Sequence, residues 1–136
     1  MMWNPLAVLA GLAIGMAVNM ALITLNSRVL FPMPEGTSMQ DPEQFQAYVS
    51  KLPAPAFLVV MAAHLGQAFV GGWAAAWFGR SQPVLLAMIV GGISMAGGIM
   101  MLRTVKGPRW MVLEVPLYLV VAYAAGLLVE GARVAA

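Results

Sequence analysis

His64 and Gln67 stand one helical turn apart in one long apolar segment, and Glu114 and Tyr118 stand one turn apart in another. Asn19 and Ser94 lie in two further apolar segments. These six are the informative polar side chains in otherwise hydrophobic stretches. An imidazole ordinarily titrates near neutral pH, and a carboxylate is a natural acidic partner for it. In lipid such groups are costly and call for partners. One reading is structural: Asn19, His64, Ser94 and Tyr118 hydrogen-bond across helices, at ~0.6–2 kcal/mol each, and fix register. The other is functional: the six line a site in which His64 relays a proton or holds a polar ligand, with Glu114 beside it. Spacing leaves both open, because it does not fix the rotation of each helix.

The chemistry available is narrow. A zinc site needs at least two more ligands than the single histidine, and only Glu114 is near it in depth. Bis-histidine haem ligation within one chain is excluded, while His/Met ligation is conceivable. Ser94, His64 and Glu114 spell a triad on paper, but no nucleophile elbow surrounds Ser94. Twelve methionines suggest soft copper ligands or, more simply, adaptable packing among small residues. With no cysteine there is no disulfide, iron–sulfur cluster or thiol nucleophile. We expect no cofactor, no metal and no enzymatic activity.

The elements that must position these residues follow from a shortage of charge. Charged residues make up 9% of 136, apolar residues 62%, and mean hydropathy is +0.87. A soluble domain carries about 25% charge. The composition excludes a disordered chain. A net charge of +2, with its basic residues dispersed, offers no phosphate-tracking patch, so nucleic acid is not an expected partner. No charge occurs from Met1 to Ser27, Leu52 to Gly79, Ser81 to Leu102 or Val115 to Val129. The gaps predict four membrane spans, about Pro5–Leu25, Pro55–Phe78, Pro83–Leu102 and Trp110–Val129, each ~30 Å long. The first lacks the basic flank of a signal peptide and is expected to be retained. Pro116 predicts a kink in the fourth.

The predicted fold is an all-α four-helix transmembrane bundle in a single domain, residues 1–136. The substantial loop, Asn26–Ala54, holds a short amphipathic helix over about residues 42–52. Asp41 is its expected N-cap, Pro42 its first residue, and Gln44 the return partner of a capping box. Phe45, Tyr48, Val49 and Leu52 recur on one face, suited to the membrane interface or to a lid over the bundle.

Small residues recur at four-residue spacing on every span. The register includes Gly11 and Gly15, then Gly71, then Gly72, then Gly91, then Ser94 with Gly98, and Ala122 with Gly126. Such stripes let helix backbones approach closely. They predict a tight bundle, with the second and third spans also offering a seam for a homo-oligomer or a larger membrane complex. Arg103, Lys106 and Arg109 cluster in the last loop, suited to lipid headgroups and to holding the topology. Five basic residues fall on the loop side and two, Arg80 and Arg133, on the side of the termini. The positive-inside rule then predicts periplasmic termini in a bacterial inner membrane.

Leu30-Phe31-Pro32-Met33-Pro34-Glu35-Gly36, Asp41-Pro42-Glu43, Tyr48-Val49, Leu52-Pro53, and Ala63-His64 with Gln67 and Gly71-Gly72-Trp73 form a pattern covering roughly a third of the chain. It resembles small bacterial four-helix integral membrane proteins of uncharacterised function. The resemblance implies a bacterial membrane location. Small multidrug exporters have a similar size and span count, yet they place a glutamate in the first span, where this chain has Asn19. Two functions remain in view: a non-enzymatic subunit or self-associating bundle in the lipid bilayer, and a small transporter or channel using the polar layer.

Overall fold

Proline opens four of the helices, at positions where its missing N–H has no intrahelical acceptor to lose. These are α1 (Asn4–Leu25), α2 (Pro42–Ser50), α3 (Ala54–Phe78) and α4 (Pro83–Thr104). The fifth, α5 (Glu114–Ala135), is entered through a 3₁₀ segment, Arg109–Leu113. The computed structural model describes all 136 residues, is 81% helical and contains no strand. Four of its helices are long and apolar enough to cross a membrane.

Two spans run further than the charge gaps suggest. A π-turn over Asn26–Leu30 extends α1, so that the loop begins at Phe31. The polar run Asn26-Ser27-Arg28 reads as a helix end, but Asn26 is buried and its amide donates to the Ala56 carbonyl (3.2 Å). The last span continues past Val129 to Ala135, because Glu130 and Arg133 remain helical. Pro116 falls in the first turn of α5, where the 3₁₀ ladder gives way to the α ladder. Its missing N–H therefore belongs to a junction rather than to an interrupted helix interior.

At the centre stands α3, which packs on α1, α4 and α5; α1 leans chiefly on α3. Glycine makes these approaches possible. A Cβ on Gly15 would come within 2.5 Å of the Gln67 carbonyl oxygen, and one on Gly71 within 2.7 Å of the Gly11 carbonyl oxygen. Gly11 faces Gly71 and Ala75 equally tightly. On the other side of α3, Gly72 meets Ala87 of α4. Gly91 meets Ala122 of α5, and Gly98 lies under the Tyr118 ring. Gly11, Gly15, Gly71, Gly72, Gly91 and Gly98 are thus occupied by neighbours within the chain, while Gly92 and Gly97, in the same glycine-rich stretch of α4, face open space.

Both chain termini lie at one end of the bundle. Met2 donates its N–H to Phe78 (2.7 Å), and Asn4 Oδ1 accepts from the backbone N–H groups of Arg80 and Ser81 (2.9 and 3.4 Å). Arg133 closes the same end, donating to the carbonyls of Ala76, Trp77 and Gly79 at 2.7, 3.1 and 2.6 Å. The helix-ending carbonyls of α3 are satisfied by this guanidinium, since Gly79 itself is extended (φ −69°, ψ 153°) and makes no left-handed cap. The indoles of Trp73 and Trp77 stack nearby (5.5 Å) on the outer face. Such rings suit the membrane–water boundary.

Candidate functional site

The opposite end holds α2, and the local sequence explains its placement. Asp41 Oδ1 accepts from Glu43 and Gln44 N–H (3.0 and 3.3 Å), as an N-cap should. Gln44 does not return the bond to Asp41; its Oε1 accepts from Ser38 N–H (2.9 Å), so the capping box is half formed. The helix ends at Ser50, and Leu52 lies just beyond it. The apolar face of α2 points inward as its spacing predicts. Val49 packs with Phe57 of α3 and with Met111, and Phe45, Tyr48 and Leu52 surround them. Burial pushes the Tyr48 phenol up from its ordinary range, and the protonated hydroxyl donates to the Phe31 carbonyl (2.8 Å).

One further contact latches α2 to the far loop. The Gln46 amide donates to the Lys106 carbonyl (2.9 Å) and accepts from the Lys106 N–H (2.8 Å). Each such bond contributes about 1 kcal/mol net. Gln46→Ala is therefore expected to loosen α2 by about 1–2 kcal/mol, which is ~5–30-fold faster amide exchange across Pro42–Ser50. Hydrogen exchange read by mass spectrometry checks this, with α3 amides as the unchanged reference.

Beneath α2 lies a cavity of about 410 Å³. Its walls come from α1 and its π-turn, α2, α3, the end of α4, and the 3₁₀ segment leading to Glu114. Fourteen of the 22 lining residues are hydrophobic, so the polar ones stand out: Asn26, Ser27, His64 and Glu114 buried, Asn19 half-buried, and Thr24 and Arg28 exposed.

His64 and Glu114 form a pair at the cavity's inner end. The imidazole Nδ1 lies 3.2 Å from both carboxylate oxygens. Glu114 is fully buried and the His64 side chain is 11% exposed. The carboxylate can only accept when ionised, so Nδ1–H is the donor in the ion-neutral form. Nε2 is then the unprotonated ring nitrogen. This carboxylate–imidazole arrangement fixes the tautomer. Tyr118 stacks on His64 (centroids 6.4 Å apart, planes 22° apart) and locks the ring's orientation.

The polar layer divides in two. Asn19, His64 and Glu114 converge on the cavity, and Tyr118 backs the pair. Gln67 and Ser94 instead make a long hydrogen bond to each other (3.5 Å) outside the cavity wall. Asn26 belongs to the site although its position at the apparent end of the first span concealed it. The Oδ1 atoms of Asn19 and Asn26 are buried with no hydrogen-bond partner. An unmet buried acceptor is costly, so both atoms are weak points of the packing around the cavity. The methionines gather here: Met20, Met33, Met39, Met101 and Met111 line the cavity.

No protein-family model matches the chain, and no curated protein or solved structure matches it.

No group of three or more His, Cys, Asp or Glu side chains is placed to hold a metal ion. Arg103, Lys106 and Arg109 sit at the cavity end of the bundle, around the loop that Gln46 grips through Lys106. The resulting site has a flexible apolar wall, a buried acid–imidazole pair, two unmet acceptors and a latched helical cover.

Proposed function

We propose that the protein is a small, non-enzymatic, proton-coupled carrier whose binding site is the cavity beneath α2. The observation that carries this reading is the His64–Glu114 pair at the inner end of a lined cavity. A bundle that served only to pack needs no buried acid–imidazole pair beside a cavity. The bundle interior beyond His64 is closed by small-residue contacts, which favours a carrier over an open channel. Its cycle has two states of His64: Nε2 protonated and charge-paired with Glu114, or Nε2 free to accept from a solute. Tyr118 on α5 stands against the pair, and Asn19, Asn26 and Tyr48 line the same cavity.

The five-to-two split of basic residues supports a cytoplasmic site in a bacterial inner membrane, with periplasmic termini. Lys106 and its neighbours then sit among anionic headgroups, holding α2 at the cytoplasmic face.

His64 is the sole histidine, so its ring nitrogens can be read without assignment. In ¹⁵N-histidine spectra of the protein in nanodiscs, Nε2 is expected to respond to bulk pH, while the Nδ1 proton stays downfield through its bond to Glu114. Glu114→Gln should abolish that downfield signal. An imidazole silent to bulk pH, or one indifferent to Glu114→Gln, overturns the reading.

A further inference from the structure

We propose that the cavity takes one acyl chain of an anionic phospholipid, which enters sideways from the bilayer between α1 and α4 and rests its phosphate on Arg28. This deepens the carrier reading, on whose binding site it rests, by naming the substrate class. Near the termini α1 meets α4, where Val8 and Leu12 pack against Leu86 and Val90. Further along, Asn19 and Ile23 continue the same side of α1, at helical spacing from Val8 and Leu12. There they line the cavity, and α4 borders it through Met101 and Leu102. Helices in contact at one end are thus separated by the cavity at the other.

The separation opens on lipid. Met20 on α1 and Met101 on α4 both line the cavity, and they are 54% and 45% exposed. The water side is covered by α2, which Gln46 latches to Lys106. Met20 lies ten residues before Leu30, where the π-turn ends. That is ~15 Å along the helix, half of a ~30 Å hydrocarbon core. The slit therefore spans one leaflet, the reach of one acyl chain.

Its chemistry changes in the order of a lipid. Met20, Thr24 and Arg28 line the cavity at four-residue steps, and all three are exposed. The series runs from thioether at depth through hydroxyl to guanidinium at the surface, as a phospholipid runs from chain through ester to phosphate. Arg28 forms no ion pair within the chain. A guanidinium meets a phosphate with parallel N–H bonds, and basic residues at this level favour anionic lipid. The rest of the lining is mostly hydrophobic, with methionines that adapt to a flexible chain. At about 410 Å³ the cavity is near the lower end of ligand sites, ~300–1,000 Å³, so the lipid's second chain stays in the leaflet. A soluble anion would use Arg28 and leave the apolar lining unfilled. A cationic amphiphile would set its charge against Arg28, and a neutral one would leave the guanidinium unpaired.

The probes are phosphatidylglycerol and phosphatidylcholine, each with a photoreactive diazirine near the end of one acyl chain. They are added to protein in nanodiscs of unlabelled phosphatidylcholine, and labelling is mapped by peptide mass spectrometry. The phosphatidylglycerol probe is expected to mark Val60 and Met111 in the cavity wall, saturably and in competition with unlabelled phosphatidylglycerol. It should mark them about fivefold more than the phosphatidylcholine probe, the worth of one basic residue beside anionic lipid. The outward-facing Ile93 and Val120 should take both probes alike. Arg28→Gln should remove the fivefold preference. Lys51→Gln takes the same charge from the same end but lies outside the lining, and should keep it. Ile23→Trp, which fills the cavity from α1, should cut labelling of Val60 and Met111 and leave Ile93 unchanged. Arg28 is exposed, so its variant tests the proposal even where the tryptophan disturbs folding. Equal labelling of the wall by both probes overturns the proposal, as does labelling confined to Ile93 and Val120. A preference lost equally in the Arg28 and Lys51 variants, or kept in both, overturns it too. The pH response of His64 is read in the same nanodiscs. A responsive His64 without wall labelling sinks the lipid ligand alone. Saturable wall labelling with a pH-silent His64 sinks the carrier reading alone.

Discussion

Replacing His64 with alanine is expected to destabilise the bundle more than replacing His64 and Glu114 together with apolar residues. The single change leaves a fully buried carboxylate without its donor. Breaking one side of a buried pair costs about 3–5 kcal/mol, whereas substituting both by well-packed hydrophobes is often neutral or stabilising. Glu114→Leu alone should cost less than His64→Ala, because a neutral imidazole can remain without a charge partner. The double variant His64→Leu/Glu114→Leu should recover most of the loss. A double-mutant cycle in thermal or denaturant unfolding, in one detergent, gives the coupling energy directly. A coupling near zero would show that the pair contributes nothing to the fold. The double variant should also lose every pH response attributed to the cavity, so stability and function separate in one protein.

A second large effect is expected at the α1–α3 seam. Gly71→Leu places a branched side chain where a Cβ alone would lie 2.7 Å from the Gly11 carbonyl oxygen. Backbone cannot give as a side-chain tip can, so α1 must separate from α3. Overpacking in a core costs typically about 1–3 kcal/mol, and a backbone-on-backbone contact stands at or beyond the upper end. Gly92→Leu is the internal control, because nothing lies near a Cβ there. Cysteine pairs introduced across α1 and α3 give the readout, since the chain has no native thiol. Cross-linking should fail in the Gly71 variant and persist in the Gly92 variant. Equal cross-linking in both would mean that the seam does not hold α1.

The sequence made the four spans legible for a simple physical reason: charge is excluded from hydrocarbon, so its gaps mark the helices. It made α2 legible through Asp41, Pro42 and the apolar spacing of Phe45, Tyr48, Val49 and Leu52. Its limits appear where tertiary contacts override local signals. Asn26-Ser27-Arg28 reads as a helix end, yet a bond to Ala56 and a widened turn keep it helical and buried. The polar layer was legible as a set of depths, and depth correctly joined His64 to Glu114. Rotation about each axis was not legible. It separates Gln67 and Ser94 from the cavity and turns Asn19 toward it. The glycine stripes announced close packing, but only the assembled bundle says which neighbour each stripe meets.

Arg133 carries a consequence for how the chain is made. The carbonyls at the end of α3 have their guanidinium partner 54 residues downstream of Gly79. At ~5–20 residues per second, translation adds that arginine about 3–11 s after Gly79. Through that interval the first helical hairpin sits in the bilayer with its exit end unfinished. The last helix is therefore more than a fourth wall: its arrival is the step that completes an end left open since mid-synthesis, which makes closure of the bundle a late event in biogenesis.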